Sequence, residues 1–296
     1  MSKPDVVAGI DGSASSVRAA IWAGGDAARR KLPLRLVHAY TVPRTGMPEI
    51  AGSARMIREG MDQRGREWLA EAKTAVLAEY PGLTIEISAG EGNPVAALVR
   101  ASRQARMLVL GSRGLGGFTG LLVGSTAVSL AAQASCPVVV ARGRMPDDPP
   151  PTAGPVLVGV DGSPASEAAI EFACEEASLR RTGLTVVHTW NEVLTEDGIR
   201  RGPVDSGRIH EDESRLLAEQ LAGWQEKYPD VPISRVVMRG RPVRTLLEFG
   251  DRAQLIVVGS RGRGGFKGML LGSTSQALLA HSACPVAVVR PREVPT

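Results

Sequence analysis

"GSRGLGGFTGLLVGST", residues 111–126, returns as "GSRGRGGFKGMLLGST" at residues 259–274. Each copy follows an apolar run, "MLVL" or "LIVV", and closes on Gly-Ser where a helical pattern begins. The match extends outward from these loops. "DVVAGIDGS" from Asp5 pairs with "PVLVGVDGS" from Pro155 at an offset of 150, and "CPVVVAR" from Cys136 pairs with "CPVAVVR" from Cys284 at 148. A repeat of this size decides the architecture before any single motif does. The proline-rich stretch "RMPDDPPPTAGP", residues 144–155, suits a stiff linker and not a core. The expected domains are therefore 1–143 and 156–296, each of ordinary domain size.

Within one copy, short apolar runs alternate with helical patterns. "VVAGI" and "LRLVHA" read as buried strands, the second ending at His38. Between them Val17, Ala20, Ile21 and Ala28 recur at helical spacing, with Ser13 or Ser15 as the N-cap. A long amphipathic stretch from about Met56 to Glu79 follows, then "LTIEIS", a helix opening at Pro94, "MLVLG", the loop, a helix over Ser125–Ala134 and "PVVVAR". Five strands joined by four helical crossovers predict an α/β fold, with a parallel sheet covered on both faces in each copy. Ligands of such sheets collect beyond the strands' carboxyl ends, where "DGS" and the glycine loop both fall.

The net charge of +4 comes from interleaved acidic and basic residues without a dense cationic run, which argues against nucleic acid as a partner. No segment approaches the roughly 18 apolar residues of a membrane span, and no signal-like stretch opens the sequence, so a cytoplasmic protein is expected. Cys136, Cys174 and Cys284 form no Cys-x-x-Cys pair and are assigned no chemistry.

The loop spacing, Gly-x2-Gly-x9-Gly-Ser, has a physical reading. Gly111, Gly114 and Gly124, like Gly259, Gly262 and Gly272, let backbone approach a ligand closely. Ser125 and Ser273 open helices, whose free N–H groups and partial positive charge seat phosphate. Arg113 and Arg261 supply the forked cation that a Walker A lysine supplies elsewhere. The alternative is a plain strand-to-helix connection in which Ser125 caps its helix. Asp11 and Asp161 have two readings: an acceptor for a ribose hydroxyl or Mg²⁺, or a turn residue bonding its own backbone. His38 and His188 read as packed, hydrogen-bonded histidines, since four histidines in the chain offer no ligand cluster.

With "GIDGS", "LVHA" and both loops, the chain resembles a tandem universal stress protein, once per copy over nearly its whole length. The resemblance implies two Rossmann-like domains of the adenine-nucleotide α-hydrolase type and an ATP site in each, possible Mg²⁺ contacts falling to Asp11 and Asp161. It puts Asp11, Gly12 and Ser13, or Asp161, Gly162 and Ser163, beside ribose and adenine, with Ala39 and Thr189 meeting the base through backbone. Gly111, Arg113, Gly114, Gly124, Ser125 and Thr126 would line the phosphates of the first site, and Gly259, Arg261, Gly262, Gly272, Ser273 and Thr274 those of the second. Residues 41–60 and 191–212 match the family's most variable region. The family's use of its last strand in dimers implies pseudo-twofold pairing of the copies, or a homodimer.

These features point to an ATP-binding stress-response protein with little or no turnover. Nothing beyond the two aspartates offers a base or metal cluster for hydrolysis. The alternatives are a slow ATP-hydrolysing or nucleotidyl- or phosphoryl-transfer enzyme, and a dimeric interaction module indifferent to nucleotide. At matched loop positions Leu115 stands against Arg263, so the second site is expected to hold anionic phosphates more tightly.

Overall fold

Strand β1 (Asp5–Gly9) is buried almost throughout, and helix α1 (Ala14–Arg30) follows directly. Ser13 caps α1 by accepting from Ser16 N, and Lys31 closes it in the left-handed region at φ 55°. β2 (Leu34–Tyr40), α2 (Ala51–Glu79), β3 (Ile85–Glu91), α3 (Pro94–Ser102), β4 (Ala105–Gly111), α4 (Ser125–Gln133) and β5 (Val138–Ala141) complete the first copy. The second repeats the plan with β6 (Val156–Val160), α5 (Pro164–Arg180), β7 (Leu184–Trp190), α6 (Ser206–Lys227), β8 (Ile233–Arg239), α7 (Pro242–Gly250), β9 (Leu255–Gly259), α8 (Ser273–His281) and β10 (Val286–Val289). The computed structural model describes residues 4–42, 51–114, 123–145, 147–190, 206–263 and 270–291. The loop interiors 115–122 and 264–269, with Leu115, and residues 43–50 and 191–205 of the variable stretches lie outside these.

Two compact units form: residues 1–150 with 279–288, and residues 151–278 with 289–296. In the first the strand order is β3-β2-β1-β4-β5-β10. The first five are parallel neighbours, while Val286–Val288 of β10 run antiparallel to Val138–Val140 of β5. The second unit orders its parallel strands β8-β7-β6-β9. In each unit the chain steps outward from its first strand to the edge and then returns to that strand's other side. This creates a switch point between β1 and β4, and between β6 and β9, the place where ligands of such sheets collect.

Three local expectations are corrected. The N-cap of α1 is Ser13, and Ser15 is buried within the helix. Ala28 is exposed, because the inward face runs through Ser16, Ala19, Ala20, Ala23 and Ala27, and Ala28 lies about 100° further round. β2 does not end at His38 but continues to Tyr40, held there by pairing with β3 as far as Glu91.

Candidate functional site

The chain leaves β1 through Asp11-Gly12-Ser13, and Gly12 takes φ 84°; Gly162, its counterpart after β6, takes 75°. That left-handed backbone turns the strand end sharply into a helix, and any side chain there would be strained. Asp11 Oδ1 accepts from Ser13 N at 3.0 Å and from Ser13 Oγ at 2.6 Å, so the turn reading of this aspartate is realised. Its Oδ2 is turned outward against Gly114, where a Cβ would collide with it. Asp161 repeats this turn. Its Oδ1 accepts from Ser163 N at 3.0 Å and from Ser166 Oγ, and its Oδ2 accepts from Arg263 N at 2.9 Å. Burial alone would push the Asp161 carboxyl up, but the hydrogen bonds from Ser166, Ser163 and Arg263 prevail and hold it below the usual range.

The loop after β4 meets this turn across the switch point. Gly111 packs so closely on the Ser15 backbone that a Cβ would sit 2.7 Å from Ser15 C, and Gly259 packs likewise on Ala165. Arg113 and Arg261 are exposed, with their carbonyls 3.2 Å and 3.5 Å from Ser13 Oγ and Ser163 Oγ. Gly124 N donates to Ser112 O at 2.9 Å and Gly272 N to Ser260 O at 2.8 Å, which ties each helix start back to its strand end.

The start of α4 is open. Its N-cap is Gly124, with no side-chain cap, so Ser125 is the first helical residue and not the cap that the alternative reading required. Ala127 N and Val128 N donate to Gly124 O at 3.1 Å and 3.3 Å, which leaves the Ser125 and Thr126 N–H groups as the first-turn donors a ligand could meet. Among the described residues, a Cβ on Gly124 would meet nothing nearer than Ser112 O at 3.9 Å, and one on Gly272 would lie 3.3 Å from Ser260 O. Ser125 and Ser273 are exposed, with Thr126 and Thr274 half-buried beside them.

The two histidines, each two residues before its strand's end, are packed as expected. His38 Nδ1 donates to Ile10 O at 2.7 Å and His188 Nδ1 to Val160 O at 2.9 Å, while His188 Nε2 also faces Glu213 Oε2 at 2.9 Å. Ala39 lies within β2. Val37 O accepts from Ile10 N on the β1 side and Tyr40 O from Gly92 N on the β3 side. Alternation along the strand therefore turns the Ala39 carbonyl toward β1's side, past that strand's end. Thr189 is placed alike, since Trp190 O accepts from Gly240 N.

Sequence reasoning missed what covers the turn. In the first unit the Trp68 indole of α2 lies on Gly12, with Nε1 2.6 Å from where a Cβ would be. In the second unit the Arg263 guanidinium lies on Gly162, beside the Gln220 amide. The serines at 16 and 166 were also missed, although both sit three residues beyond "DGS" and bond the turn. Among the described residues there is no cluster of three or more metal-ligating side chains, and no helix is long and apolar enough to cross a membrane.

Comparison with known proteins gives a consistent result. The model of the Universal stress protein family matches residues 4–142 and again 153–290. A universal stress protein of Mycobacterium tuberculosis is 43% identical over 303 aligned residues, covering 98% of this chain and 99% of its own. One from Mycolicibacterium smegmatis is 41% identical over 297, covering 97% of each. A solved universal stress protein from Archaeoglobus fulgidus matches 99% of this chain and 100% of its own with a TM-score of 0.72 at 21% identity, a likeness of fold.

Proposed function

The chain belongs to the universal stress protein family, and from that premise we propose that each unit binds one adenine nucleotide, ATP, as a regulatory ligand with little or no turnover, in a cytoplasmic stress response. The carrying observation is the start of α4, a glycine-capped helix tied to the strand end that meets the Asp11 turn, with the exposed Arg113 on that loop and, among the described residues, no atom closer than 3.9 Å to where a Cβ on Gly124 would sit. Backbone N–H groups there suit phosphate oxygens. Gly111, Gly114, Ser125 and Thr126, and in the second unit Gly259, Arg261, Gly262, Gly272, Ser273 and Thr274, complete the phosphate rims of this reading. Asp11, Gly12, Ser13 and the Ala39 backbone, with Asp161, Gly162, Ser163 and Thr189, take the ribose and base.

The aspartates suit a sugar better than a metal. Asp161 already accepts three hydrogen bonds, so about one of its four lone-pair sites is left. One site matches one ribose hydroxyl, whereas Mg²⁺ demands octahedral ligation and sheds water reluctantly. Mg²⁺ would then arrive on the phosphates. ATP supplies the site with negative charge and a ribose donor; the protein holds both in place. Among the described residues, no side chain here is set to activate a water, which supports slow turnover. Ile87 on β3 and Met238 on β8 are exposed on edge strands, and a homodimer through such edges is measurable by sedimentation of the full chain.

The test is to denature freshly purified protein and quantify released nucleotide, then titrate ATP into the emptied chain. Gly124→Ala with Gly272→Ala should keep the fold, since φ at Gly124 is −69° and the added Cβ there meets only ordinary contact while at Gly272 the Ser260 carbonyl must give by a few tenths of an ångström, yet weaken ATP binding by about tenfold or more through loss of close approach. Absence of nucleotide followed by absence of binding sinks this reading in favour of the nucleotide-independent module. Mostly diphosphate, with saturable turnover, moves it to the hydrolytic one.

A further inference from the structure

The same glycine, in the same left-handed turn, is covered by opposite chemistry in the two units. On Gly12 lies an indole. Trp68 is half-buried, its ring edge-on to His38 at 5.3 Å between centroids, and the Arg64 guanidinium carbon stands 5.9 Å from the ring centre. The indole thus spans the ends of β1 and β2, the two strand ends assigned to ribose and base. Its reach depends on Gly65, one turn earlier, which lies so close on His38 that a Cβ would be 2.9 Å from Nε2.

In the second unit this arrangement is absent. Tyr80 and Tyr228 close α2 and α6 with the same bonds, to Val76 O and Trp224 O, and Leu69 and Leu217 are both fully buried, so the helices align at an offset of 148. On that alignment Glu213 stands for Gly65 and bonds His188, while Leu216 stands for Trp68 and is 46% exposed. Gly162 is covered by a cation, Arg263, whose backbone N–H is pinned to Asp161 Oδ2 at 2.9 Å.

We propose that the two units carry chemically distinct nucleotide sites: a base-selecting first site, in which Trp68 supplies the aromatic surface for the purine, and a phosphate-selecting second site, in which Arg263 supplies the cation. The inference rests on the nucleotide reading above and adds what distinguishes its two halves. An aromatic face stacks on a base whatever the phosphate count, and its contribution changes little with salt. A guanidinium binds phosphate oxygens in forked pairs, and an exposed one weakens as salt screens it. Each cover must shift from its glycine when ligand enters, so binding to the first site alone changes the environment of Trp68.

The experiment is calorimetric titration of the full chain with ATP, in competition with adenosine as a phosphate-free probe and inorganic tripolyphosphate as a base-free probe. Wild type, Trp68→Leu, Trp68→Phe and Arg263→Leu are compared, and thermal melting checks that each is folded. The expected result is that adenosine competes at one of two ATP sites, that Trp68→Leu weakens that site about tenfold, and that Trp68→Phe largely restores it. Tripolyphosphate should compete more strongly at the other site, which Arg263→Leu weakens about tenfold and whose salt dependence is steeper in wild type than in Arg263→Leu. Two equal ATP sites, or equal loss at both from either substitution, would overturn the inference and leave the functional reading intact. Wild-type chain that binds no ATP would overturn both. Should Trp68→Leu fail to fold, selective adenosine competition and the change in Trp68 emission against Trp68→Phe decide the question.

Discussion

Asp161 shows how much one carboxylate is asked to do. Its carboxyl sits below the usual range because hydroxyl and backbone donors outweigh burial, so it favours the folded chain when ionised. That stability is fully present above the unfolded value of about 4 and is lost as pH falls through the lower folded value. Asp161→Asn should cost about 1 kcal/mol at pH 7, a modest figure because the group is only half-buried and partly screened. The gap to wild type should close in acid; urea unfolding at pH 7 and pH 3 measures it, and an unchanged gap would refute the assignment. Asp11, Gly12 and Ser13 and their repeats were legible in the sequence because a glycine after a strand and an aspartate two residues before a cap have local meanings. Trp68 was not legible, because its meaning lies in a contact made 56 residues from Gly12. Arg263 was marked only as a difference from Leu115, and its place on Gly162 depends on how the loop folds back.

Elements were legible where their period was clean. The buried strands, the Pro94 helix start and the glycine-loop helix follow from apolar runs and caps, and only their ends shifted, as at Tyr40 where cross-strand pairing extends β2. The ion pairs inside α1 and α5 were hidden, since Asp26 with Arg30 and Glu176 with Arg180 read in sequence like any solvated i,i+4 pair. Asp26 and Glu176 are fully buried, at 2.7 Å and 2.8 Å from their arginines. Arg180 also donates to Gln254 Oε1 at 3.1 Å, and Gln254 Nε2 donates to Gly154 O at 2.6 Å, so the pair anchors the chain entering β6. Glu176→Ala leaves a buried guanidinium without its counterion and should cost about 3–5 kcal/mol. The exposed pair Arg244–Glu248 has the same spacing, and Glu248→Ala should shift the urea midpoint far less. Equal effects would show that burial is not what gives these pairs their weight.

At the level of the molecule, the repeat announced two similar bodies and the resemblance implied pairing through their last strands; in the structure β10 completes the first unit from the far end of the chain. Val286–Val288 line the outer side of β5, and the half-buried Arg142 donates to Leu279 O and Ala280 O at 2.7 Å and 2.8 Å. Burial lowers the Arg142 pKa, with Arg113 nearby adding to the effect, so those two carbonyls are what keep its charge tolerable. A chain of residues 1–150 lacks this strand and exposes the apolar edge of β5, Val138–Ala141. It should self-associate on sedimentation in a concentration-dependent way, and a monodisperse monomer would contradict the pairing described here. The same strand also sets an order of events during synthesis. The β5 edge emerges roughly 145 residues before its antiparallel partner, a wait on the order of 7–30 s at ordinary ribosomal speeds. Through that interval the nascent first unit carries an open apolar edge, so its exposure to chaperones and to neighbouring nascent chains is governed by translation rate, and slow codons in the second copy would lengthen it.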